Sequence, residues 1–122
     1  MGSNQSREDY LESIYVLRQQ MGTCRSIDVA ARLGYTKASI SVAVARLGRE
    51  GYLIKRADGE LILTEKGEDL AVRIWERHRF FRDFLISIGV DPDTAEEDAC
   101  RMEHILSAET YDRIHAFLGD EP

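Results

Sequence analysis

Residues 96–107 read EEDACRMEHILS, which brings a cysteine, a glutamate and a histidine within five positions of an amphipathic stretch. In a helix, Cys100, Glu103 and His104 stand at i, i+3 and i+4 and share one face, with Glu96 one turn earlier on the same side. Thiolate, imidazole and carboxylate form a donor mixture that a divalent transition ion accepts. The same spacing also suits an ordinary helix, in which Cys100 packs as a small apolar group and the charged residues face water. From this stretch alone both readings stand.

The elements that must position these residues follow from the rest of the chain. At 122 residues it forms one compact domain or two small, closely coupled ones. No apolar run approaches the length that spans a membrane and no signal-peptide core is present, so a cytoplasmic location is expected. Cys24 and Cys100 are too few and too far apart for a disulfide framework. The net charge of −6 hides an asymmetry. Residues 1–64 carry nine Lys/Arg against seven Asp/Glu, whereas residues 65–122 carry seven against fifteen. A mildly basic front suits phosphates, and an acidic back suits cations or a second subunit.

After a flexible leader expected at residues 1–6, SREDYLESIYVLRQQM has helical spacing, with Ser6 as N-cap and Gly22 as terminator. SIDVAARLG makes a short second helix capped by Ser26 and stopped at Gly34. KASISVAVARLGREG makes a third, capped by Thr36, with Ile40, Val44 and Leu47 facing inward. The period then changes to alternation in YLIKRADGELILT, where Asp58-Gly59 favours a type I′ hairpin turn. Helix, helix, turn, helix, hairpin is the order of a winged helix-turn-helix, whose recognition helix enters the DNA major groove. Ser39, Ser41 and Val42 lie on its exposed turns, Thr36 and Lys37 at its phosphate-favouring N-terminus, and Lys55 and Arg56 in the wing.

The back half is all helix. One long helix runs from about Glu65 to Ile88 with Leu70, Ile74, Arg77 or His78, Phe81 and Leu85 along one side. Asp91-Pro92 opens the next helix, to about Leu106, and Ser107 starts a last one ending near Leu118. Trp75, Phe80, Phe81 and Phe84 supply aromatic surface for a core or for a dimer interface. The fold class is mainly α, with a winged helix-turn-helix DNA-binding domain at 7–64 and a helical metal-binding and dimerisation domain at 65–122.

With these elements in place, SREDYLESIYVL, ERHRFFRDFL and EEDACRMEHILS, and within them EDYLE, RH and ACRMEH, resemble the metal-dependent repressors of the diphtheria toxin repressor and manganese transport regulator family. The resemblance covers nearly all of residues 6–118. It implies a metal-activated repressor of manganese or iron homeostasis genes, in the short form without a C-terminal SH3-like domain. Carried over position by position, the family's ligands fall on Asp9, Glu12, His78, Cys100, Glu103 and His104, with Glu96 as a candidate extra ligand. The chain is a hybrid. It has the cysteine of the iron-type branch at Cys100, where the manganese-type branch has a carboxylate, and Asp9 where the iron-type branch has a methionine. Arg82 stands where family members often carry an acidic residue, which puts a full second site in doubt.

The resemblance implies Mn²⁺ or Fe²⁺ as activator, with Co²⁺ and Zn²⁺ as substitutes. The partners it implies are a second copy of the chain and a roughly palindromic double-stranded operator, with no membrane and no small organic substrate. Asp9, Glu12, Glu103 and a thiolate brought together would repel one another unless a cation sat between them, so the ion is expected to link the first helix to the acidic half. His115 and Cys24 lack partners at ligand spacing; the first reads as a surface or interface histidine and the second as a packed residue. No catalytic residues are assigned, because no Ser/His/Asp order, P-loop or nucleotide fingerprint occurs. Two other readings compete: a winged helix that docks protein, and a small cysteine hydrolase built on Cys100 and His104.

Overall fold

The structure is a computed structural model that describes the backbone of residues 2–118 and the side chains of residues 7–118. Met1 of the expected leader and residues 119–122 of the expected second domain lie outside the described residues. In chain order the elements are α1 (Gly2–Met21), α2 (Ser26–Leu33), α3 (Lys37–Arg49), β1 (Leu53–Lys55), β2 (Leu61–Leu63), α4 (Glu65–Ser87), α5 (Pro92–Ile105) and α6 (Ala108–Leu118). The mainly α class and the element order agree with the sequence reading.

Two expectations about helix starts need correction. Residues 2–6 are helical rather than a flexible segment, because α1 already begins at Gly2 and Ser6 lies inside it rather than at its cap. Glutamine is a good helix former, serine and asparagine are weaker but tolerated, and no proline interrupts the run. For α2, Arg25 rather than Ser26 occupies the cap position, and the Asp28 carboxylate accepts the Arg25 amide at 2.9 Å. The other caps are as read: Thr36 Oγ1 accepts from Ser39 N at 3.1 Å, Asp91 accepts from the amides of Asp93 and Thr94, and Ser107 Oγ accepts from Thr110 N at 3.1 Å.

Two compact units divide the chain, Met1–Ile74 and Trp75–Pro122. The boundary lies inside α4, ten residues beyond the expected one at Thr64, because the first turns of that helix pack into the first unit. Ala71 is fully buried there among Leu11, Ile14, Ile40, Leu47 and Leu61, and Leu70 packs against the same cluster. The strands of the first unit pair antiparallel, Leu53 with Leu63 and Lys55 with Leu61. An isolated bridge from Arg25 to Glu60 and the Leu61 N–H to Cys24 O bond at 2.8 Å tie this short ribbon to the segment before α2. A two-stranded ribbon is marginal by itself, so these ties hold the wing.

The turn is not type I′. That type requires positive φ at both central residues, yet no residue other than glycine has positive φ and Gly59 has φ 91°. Gly59 N donates to Arg56 O at 2.9 Å and Arg56 N to Glu60 O at 2.8 Å, the pattern of a three-residue connection with a left-handed glycine bulge.

In the second unit Phe81, Ala95 and Ala99 are buried. Phe80 and Phe81 meet Tyr111 edge-on at 5.6 and 5.7 Å, which docks α6 on α4. Arg77 completes this packing: it lies 5.0 Å over the Tyr111 ring and donates to Leu106 O at 2.7 Å, satisfying a carbonyl at the end of α5.

Gly67 marks a close approach within the first unit. Thr64 Oγ1 accepts its amide at 3.1 Å, and a Cβ at this position would overlap the Tyr52 carbonyl. Gly67→Ala is therefore expected to destabilise the protein by about 1–3 kcal/mol or more, the range for overpacking. Thermal unfolding checks this; an unchanged midpoint would show that α4 does not press on Tyr52.

Candidate metal centre and nucleic-acid interface

In the first unit, α3 divides cleanly between core and solvent. Ile40, Ala43, Val44 and Leu47 are buried, while Thr36, Lys37, Ser39, Ser41 and Val42 are exposed. Val42, 70% exposed, is an apolar side chain in an otherwise small, polar face, suited to a thymine methyl. Thr36 serves first as the helix cap, and its hydroxyl also donates to Ser39 Oγ at 3.1 Å. Beside the helix runs a groove of about 440 Å³ lined by Tyr10, Ala38, Ser39, Val42, Ala43 and Arg46. The sequence reading did not single out Arg46 or Ala38. The i, i+4 spacing of Ala38 with Val42, and of Val42 with Arg46, was the signal available.

Lys55 and Arg56 are exposed in the wing. Arg25 Nη1 donates to Asp58 O across the turn. Asp58 Oδ1 accepts the Glu60 amide at 3.0 Å, and that bond holds its carboxyl below the usual range. At the base of the wing Arg18 reaches Glu60 Oε2 at 2.7 Å and Leu61 O at 3.2 Å. The wing cations therefore project from a ribbon fixed to α1 and to the start of α2. Also on α1, Asp9 and Glu12 stand three positions apart on one face, Asp9 half-buried and Glu12 buried.

In the second unit, α5 brings the opening residues together as its spacing requires. Donor atoms of Cys100, Glu103 and His104 all lie within 4.8 Å of one another. A metal bonds such donors at about 2.0–2.3 Å, so two donors on one ion can be separated by little more than about 4.5 Å. The cluster is close to the size that a shared ion requires. Cys100 is exposed, Glu103 is 2% exposed, and Glu103 Oε2 lies 3.2 Å from His104 Nε2.

From α4, His78 meets Glu103 of this cluster. The residue is only 4% exposed, with Nδ1 at 3.0 Å from Glu103 Oε1 and Nε2 at 2.7 Å from Glu96 Oε2. Trp75 stacks on it with centroids 5.6 Å apart and planes within 11°, a contact the sequence reading did not anticipate. Cys24 is a packed core residue, and burial pushes its thiol up to about 12. His115 rests against Phe80, with ring centroids 4.7 Å apart, in the aromatic cluster of α4 and α6.

The first unit has the form of a DNA-reading winged helix and the second offers donors for an ion, which defines a metal-responsive DNA-binding regulator. Comparison with known proteins agrees. Residues 4–61 match the iron-dependent repressor N-terminal DNA-binding domain, and residues 64–121 match the metal-binding and dimerisation domain of the same family. The chain belongs to the iron-dependent repressor family. It is 38% identical over 110 residues to the transcriptional regulator MntR of Salmonella typhimurium, covering 90% of this chain and 70% of that one. It is 40% identical over 109 residues to the HTH-type transcriptional regulator MntR of Listeria monocytogenes, covering 89% and 77%. A manganese-dependent transcriptional repressor solved in complex with manganese superposes with a TM-score of 0.83 at 27% identity over 93% of this chain. This chain spans about half of that solved one, 52%.

Burial works to lower the pKa of His78, but the hydrogen bonds and charges of Glu103 and Glu96 outweigh it and the net shift is upward. The protonated ring thus stabilises the metal-free fold below the ordinary histidine pKa, and that contribution is lost as pH rises through the raised value. An ion bound by His78 must displace this proton. Mn²⁺ affinity is expected to rise with pH until the raised pKa is passed, with proton release at lower pH. Calorimetry in buffers of different ionisation enthalpy reads it; pH-independent affinity without proton release would exclude His78 as a ligand.

Proposed function

We propose that this protein is a divalent-metal-activated transcriptional repressor that acts in the cytoplasm, as a homodimer on a roughly palindromic operator, to control manganese homeostasis genes. The observation that carries the proposal is the Cys100, Glu103 and His104 cluster beside His78, in a chain whose other unit is a winged helix. The proposed ligand set is Asp9, Glu12, His78, Cys100, Glu103 and His104. Asp9 and Glu12 enter through the family resemblance and their chemistry: metal can govern DNA binding only if the DNA-binding unit senses the ion, and α1 carries these two carboxylates on one face. Because α1 packs with α3 in one core, an ion held by α1 would steady the recognition helix.

Carboxylates from Asp9, Glu12 and Glu103 are hard donors that suit Mn²⁺. Fe²⁺ is the second reading, favoured by the softer sulfur of Cys100. Zn²⁺ and Co²⁺ are expected to bind as substitutes. On DNA, Ser39, Ser41 and Val42 are proposed to read bases, and Thr36, Lys37, Lys55 and Arg56 to contact the backbone. The dimer reading is supported by a groove of about 680 Å³ on the second unit, lined by Phe84, Ile114, Phe117 and Leu118 among others, with Phe117 88% exposed. No helix among the described residues is long and apolar enough to cross a membrane.

The test uses a palindromic duplex selected from a random pool in the presence of Mn²⁺. Fluorescence anisotropy is expected to show tight binding with Mn²⁺, loss of binding on chelation, and no response to Mn²⁺ in Glu103→Gln. Equal affinity with and without chelator would sink the metal switch.

A further inference from the structure

The two nitrogens of His78 are engaged from opposite edges of the ring by two glutamates of the same helix. Glu96 and Glu103 stand seven residues apart on α5, two turns and about 10 Å of rise, and the imidazole is wedged between them. Nδ1 faces Glu103 at 3.0 Å, on the turn that also carries Cys100 and His104. Nε2 faces Glu96 at 2.7 Å, one turn before Cys100. The ligand-rich side is therefore the Nδ1 side.

The Glu96 side has a different character. Its second oxygen, Oε1, lies 3.8 Å from Arg82 Nη1, and Arg82 Nε is itself held by Asp83 Oδ1 at 3.2 Å. Arg82 is one turn beyond His78 on α4, so the guanidinium stands at the outer end of a line running from Arg82 through Glu96 to His78. An ion placed between Glu96 and Nε2 would meet this fixed positive charge. Trp75, one turn before His78, stacks on the ring face and removes the remaining freedom about its plane.

We propose that Glu96 is the orienting acceptor of His78 rather than a metal ligand, held in place by Arg82, so that His78 presents Nδ1 to the ion while its Nε2–H donates to Glu96. The inference rests on the metal reading given above and goes beyond it by assigning the ligating atom and the roles of Glu96 and Arg82. A carboxylate on the far nitrogen fixes the tautomer and raises the basicity of the ligating one. Glu96 and Arg82 act through His78 and are positioning residues. Glu96, with its side chain 54% exposed, tolerates substitution without opening the core.

The experiment uses the full chain with Co²⁺ and Zn²⁺ as probes. With Zn²⁺ bound, long-range ¹H–¹⁵N correlation of the histidine rings is expected to show the His78 proton on Nε2 and the metal on Nδ1. Glu96→Ala is expected to weaken Co²⁺ binding by about 10–100-fold, the range for residues that orient a ligating histidine, and to leave the Co²⁺ absorption bands unchanged. Glu96→Gln, which retains an acceptor without the charge, and Arg82→Gln should lie between Glu96→Ala and the native chain, and Arg82→Lys should restore most of the affinity.

Metal on Nε2, a shift of the Co²⁺ bands in Glu96→Ala, or unchanged affinity in that variant would each overturn the proposal while leaving the metal reading intact. Failure of the native chain to take up Co²⁺ or Zn²⁺ would overturn both.

Discussion

Glu103 carries a carboxylate with 2% of its surface exposed, Oε1 against His78 Nδ1 at 3.0 Å and Oε2 against His104 Nε2 at 3.2 Å. A charge withdrawn this far from water costs several kcal/mol unless positive charge and hydrogen bonds replace the lost hydration. Two imidazoles supply this in part, which is why His78 holds its proton more tightly than its burial alone would permit. The divalent ion proposed above would supply it more completely, with Cys100 as a further donor, and would compete for the cluster with the proton on His78. The depth of the cluster makes the choice of cation matter to the fold.

The DNA-reading unit follows a different logic, in which rigidity comes from many small ties. Three-residue strands cannot hold a wing in position alone. Arg25 bonded across the turn, Arg18 on Glu60, and the bridge from Arg25 to Glu60 give the ribbon a fixed direction. The recognition helix is anchored by a buried row, Ile40, Ala43, Val44 and Leu47. Its outer face is left short and adaptable. In the reading proposed above, Lys55 and Arg56 would present charge to DNA from an already ordered ribbon, which lowers the entropic cost of binding.

Much of this was legible in the sequence because it is written in local chemistry. Thr36, Asp91-Pro92 and Ser107 mark helix starts through their own side chains, and the i, i+3, i+4 spacing of Cys100, Glu103 and His104 placed three donors on one face before any fold was known. The wing turn departs from the type I′ expectation because Asp-Gly suits both the two-residue type I′ turn and the three-residue bulged one. The choice is made by the pairing of Lys55 with Leu61 and by Arg25, 33 residues away from Asp58. Ser6 resembles a cap because serine before an acidic run usually is one, and nothing local reveals that the helix continues back to Gly2. Arg82 on Glu96 depends on how α4 meets α5, which no periodicity within one helix contains. The stack of Trp75 on His78 is an i, i+3 pair within α4, so its spacing was available in the sequence.

These two halves of the protein make one regulator only if the ion and the operator favour the same state of the molecule. Coupling of that kind is reciprocal: whatever factor the metal adds to DNA affinity, DNA must add to metal affinity. The direct measurement is the Mn²⁺ dissociation constant of the full chain, by calorimetry, alone and saturated with its selected duplex. The expected result is tighter Mn²⁺ binding on DNA, by the same factor that Mn²⁺ tightens DNA binding. An Mn²⁺ affinity indifferent to DNA would contradict it, and would mean that the buried cluster serves the stability of the second unit alone.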